Sequence, residues 1–201
     1  MKKLITSFLI LFCQFVSADP ADELSEILKK SISFQGNFHQ RVVDDDGFLI
    51  EEAEGKVFFK KPHYFKWLYA VPHKNEIIGD GDLIYIYDPD LAQVIISKFN
   101  PSENINPASI FFENDLNKFF NVTTIDLNGE TWFQCDAIKD DLGYESVQLK
   151  FNEVGIISGM KIVDSLKNTV SLKFSQIKNN TNIDDASFMF NVPENVEVIK
   201  N

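Results

Sequence analysis

Sulfur is scarce in this chain. Two cysteines occur in 201 residues, and one of them, Cys13, falls inside the only long apolar run. That leaves Cys135 by itself, and a lone thiol cannot close an internal disulfide, so the fold must hold by its core. Cys135 sits in the strand-like stretch Trp132-Phe133-Gln134-Cys135-Asp136 with no basic neighbour to stabilise a thiolate, which reads as buried and inert. Histidine is equally sparse. His39, His63 and His73 show neither H-x-x-x-H nor H-E-x-x-H spacing, so no metal site is expected. No G-x-S-x-G elbow, P-loop or dinucleotide glycine pattern is present. The expectation is a protein without catalytic residues, metal or cofactor.

Positive charge is also short. Lys and Arg total 19 against 30 Asp and Glu, a formal charge of −11. That balance argues against nucleic acid, which needs a basic footprint, and against residence on anionic lipid. The acidic pairs, such as Glu51-Glu52 and Asp184-Asp185, fall at turns and strand ends and read as solvated surface. Asp44-Asp45-Asp46-Gly47 lacks the ligand ladder of a calcium loop.

Beyond residue 16 no apolar stretch is long enough to span a bilayer, which takes about 20 residues. The run that does exist, residues 4–16, follows Lys2 and Lys3 and precedes Val16-Ser17-Ala18. This is the pattern of a secretory signal peptide cut after Ala18. Phe12 before Cys13 does not suit a lipidation signal. The mature chain, residues 19–201, then carries 17 basic and 30 acidic residues, a charge of −13. It is read as one exported domain.

What the chain has in quantity is phenylalanine, 19 residues beside 5 Tyr and 2 Trp. Asp22, Leu24, Ile27, Leu28 and Ile32 predict an amphipathic helix. Segments of strand length follow, over residues 38–43, 48–59, 64–71, 76–78, 83–87, 91–99, 123–127, 131–138, 146–152, 156–163 and 169–177. Asp80-Gly81 and Asn128-Gly129 are among the turn signals between them. The spacing predicts a large antiparallel sheet, curled or closed. Asn106-Pro107 opens a second helical segment, residues 108–120, whole or broken near Asn114. Its apolar residues run most of the way round, so it needs covering. Residues 83–87 and 94–96 are apolar on both faces and need cover on both sides, yet only two helical segments are available. A curled sheet with helices on its concave face fits. Pattern alone leaves open whether sheet and helices enclose a solid core or an apolar cavity.

Several segments together resemble the periplasmic outer-membrane lipoprotein carrier family, LolA. Ser33-Phe34-Gln35-Gly36-Asn37-Phe38-His39-Gln40 is similar to the family's S-F-x-A-x-F-x-Q. The stretch from Gly55 through Lys60-Lys61-Pro62 to Trp67 is similar to G-x-[LV]-W-x-[KR]-R-P-x-x-F-x-W. Asp80-Gly81, Tyr87-Asp88-Pro89 and the ending from Asp184 to Pro193 continue the match in order.

The resemblance implies a mainly β fold with a few helices, an open, incomplete antiparallel β-barrel under a helical lid. It implies a carrier that takes acylated lipoproteins from an ATP-driven inner-membrane transporter and passes them to an outer-membrane lipoprotein receptor. A soluble shuttle of this kind is most simply a monomer. Carried over by position, the acyl-binding residues are Leu28, Phe34, Phe65, Trp67, Ile77, Phe99, Ile110 and Phe111. Lys61 stands where the family usually has the Arg that latches the lid. Lysine keeps the charge and loses the planar fork of donors, so a looser latch is expected. The alternative within the same fold is a periplasmic lipid-binding sensor or the outer-membrane receptor itself.

Overall fold

The computed structural model describes residues 19–99, 110–113, 115–139 and 143–200. The signal segment with Cys13, the opening Asn106-Pro107, Asn114 and Asp140-Asp141 lie outside the described residues. The chain begins with α1 (Pro20–Lys30), somewhat earlier than the Asp22 start the sequence pattern suggests. Asp19 is the N-cap, its carboxylate accepting from the Ala21 N–H at 2.9 Å, and Pro20 brings a preset φ to the first helical position. Leu24 and Leu28 form the buried stripe, whereas Ile32 falls past the helix end and is exposed.

Twelve strands follow: β1 (Ser33–Val43), β2 (Leu49–Lys60), β3 (Tyr64–Val71), β4 (Asn75–Asp80), β5 (Leu83–Asp88), β6 (Gln93–Lys98), β7 (Phe120–Leu127), β8 (Glu130–Ala137), β9 (Tyr144–Phe151), β10 (Ile157–Asp164), β11 (Thr169–Asn179) and β12 (Glu197–Lys200). They make one sheet in the order β12-β6-β5-β4-β3-β2-β1-β11-β10-β9-β8-β7, open between β12 and β7. All neighbours are antiparallel except β12, which runs parallel to β6. The long first strand β1 sits near the middle and joins the two halves, pairing with β2 on one side and β11 on the other.

Strand alternation sorts the side chains onto two faces. Register puts Phe34 opposite Phe59, Phe59 opposite Phe65, Val57 opposite Trp67, and Trp67 opposite Ile77, so these share the inner face. The inner face carries the main apolar cluster, into which α1 sends Leu24 and Leu28. α1 packs on β7 and on a 3-10 turn at Leu116–Lys118.

One expectation needs correcting. The second helical segment is no α-helix over its described part, since residues 110–113 and 115–119 hold only short 3-10 turns before β7 begins at Phe120. Phe111 and Phe112 pack side by side into the inner cluster, and Phe120 already belongs to β7. Among the described residues no helix covers the outer face of β3–β6. There Tyr64, Tyr85 and Tyr87, alternating with the inward Phe65, Ile84 and Ile86, meet the C-terminal segment. Phe188 packs on Tyr64, and Phe190 on Tyr85 and Tyr87. Ile78, Val94, Ile183 and Phe188 are buried apart from the main cluster and form a second, outer core. The strands that are apolar on both faces are thus covered by irregular chain.

Candidate functional site

The inner cluster is built of rings. Phe34 on β1 stacks with Phe59 on β2 at 5.1 Å between centroids, and Phe59 stacks with Phe112 at 4.7 Å. Phe111 meets Phe34 and Phe59 edge-on at 5.4 and 5.3 Å. Phe65 and Phe99 lie beside Phe112 at 6.2 and 5.8 Å, and Phe38 joins Trp67 to Tyr69. Offset and edge-on pairs at these distances are the favourable arrangements of aromatic quadrupoles. Gly79 lies directly beneath the Phe65 ring, where any Cβ would collide with it. Residues 110–112 therefore sit against the inner face of β1–β3 as a wedge of one Ile and two Phe.

All eight residues singled out from the sequence belong to this one assembly. Leu28, Phe34, Phe65, Trp67, Ile110 and Phe111 are buried in it, and Ile77 and Phe99 pack against it half-buried. Sequence reasoning passed over Phe38, Phe59, Phe112 and Phe174, which are equally central. Phe59 and Phe38 had a usable signal, because each lies at even spacing from a residue already on the inner face. Phe112 had none, since neighbouring residues in a tight turn follow no strand or helix period. The Trp67 Nε1 is buried without a hydrogen-bond partner among the described residues.

Lys61, at the β2–β3 corner, turns inward. Its ammonium donates to the Leu28 carbonyl at 2.8 Å, which also accepts from the Ser31 N–H at 3.2 Å, in the last turn of α1, where a cation is favoured. Its own N–H donates to Ile32 O at 2.9 Å. Burial, with Lys29 nearby, holds the Lys61 ammonium below the usual lysine range. Lys60 turns the other way and donates to Ile183 O at 2.7 Å and to the Asp185 carboxylate. One corner thus ties down both covers, α1 inside and the C-terminal segment outside. The role of Lys60 was invisible in the sequence, because its partners lie more than 120 residues away.

The chemistry of the remaining polar groups is quiet. Cys135 is fully buried, and burial, then Asp136, pushes its thiol up to about 12. Among the described residues no cluster of three or more His, Cys, Asp or Glu could hold a metal ion.

The outer membrane lipoprotein carrier protein LolA family covers residues 29–191, from the last turn of α1 to the C-terminal segment. The chain belongs to this family. An outer-membrane lipoprotein carrier protein of Nitrosomonas europaea is 33% identical over 187 residues, 92% of this chain and 91% of that one. One from Francisella tularensis subsp. tularensis is 32% identical over 203 residues, 99% and 97% of the two chains. Among solved structures, a conserved protein from Thermus thermophilus superposes with a TM-score of 0.57 at 13% identity, covering 90% of this chain and 99% of its own. That likeness concerns the fold.

Proposed function

We propose that the protein is a periplasmic lipoprotein carrier. It would accept acylated lipoproteins from an ATP-driven transporter at the inner membrane, hold their acyl chains on the aromatic inner face, and surrender them to an outer-membrane receptor. The observation that carries this reading is the single assembly of Phe rings between sheet and α1 in a chain of the LolA family.

The physical need is large. Each CH₂ moved from lipid to water costs about 0.8 kcal/mol, so three long acyl chains would cost on the order of 35 kcal/mol. A carrier must offer comparable apolar surroundings and still let go. Phenylalanine suits both demands, having a large apolar area and no hydroxyl that needs a partner. An empty carrier with an open apolar slot would aggregate. Here Phe111 and Phe112 fill the space that cargo would take, stacking on the same Phe34 and Phe59 that would face an acyl chain. Loading then means exchanging protein rings for acyl chains on one surface, which keeps the net binding energy moderate. No bond is made or broken, so the carrier needs no nucleophile or general base.

The test is release. Purified protein from Asp19 to Asn201 is added to spheroplasts, and newly made lipoprotein is followed in the soluble fraction. The reading predicts lipoprotein that appears only with added protein and co-purifies with it. Folded protein that releases none would refute it.

A further inference from the structure

The ring assembly does not fill the whole inner face. Toward the rim formed by the β3–β4 and β5–β6 turns, the strands leave a pocket of about 500 Å³. Its floor is apolar, made by Ala53, Ile77 and Ile86, and it adjoins the cluster through Tyr69, whose ring lies edge-on to Phe38 at 5.1 Å. Register supports the continuity. Tyr69 and Asn75 face each other one inward position beyond the pair of Trp67 and Ile77, a step of about 7 Å along the sheet.

The walls differ from the floor in one respect, which is that they accept hydrogen bonds. Asn75 Oδ1 is buried and has no partner among the described residues. A buried acceptor in that state is unfavourable until something donates to it. Glu51 and Asp88 line the same pocket, and ionised carboxylates only accept. Asp88 Oδ1 also caps the β5–β6 turn, accepting from the Asp90 and Leu91 N–H groups. The Tyr69 hydroxyl donates to Gln40 Oε1 at 3.2 Å, and with burial and Glu51 raising its pKa to about 12 it keeps that proton. Its oxygen is left as another acceptor. At the mouth His73 Nδ1 lies 3.3 Å from Asp90.

An apolar floor leading out of an aromatic slot, under walls that want donors and carry negative charge, fits a molecule with an acyl part and a donor-rich, cationic part. Resting on the carrier reading above, we propose that this pocket receives the peptide immediately following the acylated residue of the cargo, and that it favours basic over acidic residues there. Backbone N–H groups of that peptide would satisfy Asn75 Oδ1, and lysine or arginine side chains would meet Glu51 and Asp88. A phospholipid amine headgroup offers similar chemistry, so the test must separate the two sources.

The probes are two synthetic peptides with a tripalmitoylated N-terminal cysteine, one continuing Ser-Lys-Lys-Lys-Lys and the other Ser-Glu-Glu-Glu-Glu, together with dipalmitoyl phosphatidylethanolamine. Affinities are measured for the mature protein and for a variant combining Glu51→Gln, Asn75→Leu and Asp88→Asn. The last substitution keeps an oxygen for the turn. A control variant, Glu23→Gln with Glu153→Gln, removes the same number of charges around a different cavity, between α1 and the β9–β10 turn.

The expected result is at least about fivefold tighter binding of the lysine peptide, retained in the control and reduced below about twofold in the pocket variant. An unchanged preference in the pocket variant, or an equal loss in the control, would overturn the proposal and leave the carrier reading standing. Loss of phosphatidylethanolamine binding as large as that of the lysine peptide would assign the pocket to a headgroup and overturn the peptide assignment. If neither lipopeptide binds, the carrier reading itself fails, and this inference with it.

Discussion

Lys61 shows how a single residue can set the behaviour of a cover. It offers one observed side-chain hydrogen bond, to the Leu28 carbonyl, where arginine could reach two carbonyls of the same helix end from one planar fork. A second charge-assisted bond is worth about 1.5 kcal/mol or more, roughly tenfold in a rate or equilibrium. Lys61→Arg should therefore slow exchange of a bound fluorescent fatty acid by about tenfold, measured by stopped-flow displacement. Unchanged exchange would show that this contact does not limit opening. Tyr69 and Cys135 yield a different prediction, in pH. Both have pKa values raised to about 12 in the fold, from usual values of 10 and 9. The unfolded chain ionises first, so the stability these groups contribute is fully present below pH 9 and is lost between pH 9 and 12. Each shift corresponds to on the order of 3 kcal/mol. Urea midpoints taken across that range should fall steeply, and Cys135→Ala with Tyr69→Phe should flatten the fall. At pH 8 the Cys135 thiol should resist a thiol reagent until the protein is unfolded.

Among the elements, the strands were the most legible. Tyr64–Val71 alternates Phe65, Trp67 and Tyr69 inward against Lys66 outward, and that period of two is a local property of the sequence. The covers were much less so. Residues 110–112 pack by position, with no helical period to announce them, and the C-terminal segment from Ile183 to Phe190 has no regular structure beyond a 3-10 turn at Asp185–Phe188. Strand β12 is four residues long and exists by pairing with distant β6. Such elements are fixed by tertiary contacts, which a pattern within one window cannot hold. The C-terminal cover should nevertheless matter energetically. Phe188 is fully buried between this segment and Tyr64, so Phe188→Ala should lower stability by about 3–5 kcal/mol in urea unfolding. Because the outer core is separate from the inner cluster, that variant should keep its affinity for acyl chains. A loss of binding in folded protein would show that the two faces are coupled.

At the scale of the whole molecule, one open sheet does two jobs with its two faces. The outer face of β3–β6 is covered by the chain's own C-terminal segment, and among the described residues the inner face is covered by α1 and the wedge of Ile110, Phe111 and Phe112. The two tryptophans happen to report on opposite faces. Trp67 lies in the ring cluster, whereas Trp132 lies on the outer face over Gly159, with the ammonium groups of Lys150 and Lys161 at 5.2 and 4.9 Å from its ring centre. That separation allows the central claim, that acyl chains occupy the inner face, to be tested directly. A tripalmitoylated lipopeptide carrying brominated acyl chains is titrated into Trp132→Phe and into Trp67→Phe, and quenching of the remaining tryptophan is recorded. The account predicts strong, saturable quenching of Trp67 and almost none of Trp132. Quenching of Trp132 alone, or of neither in a protein that binds the lipopeptide, would contradict it.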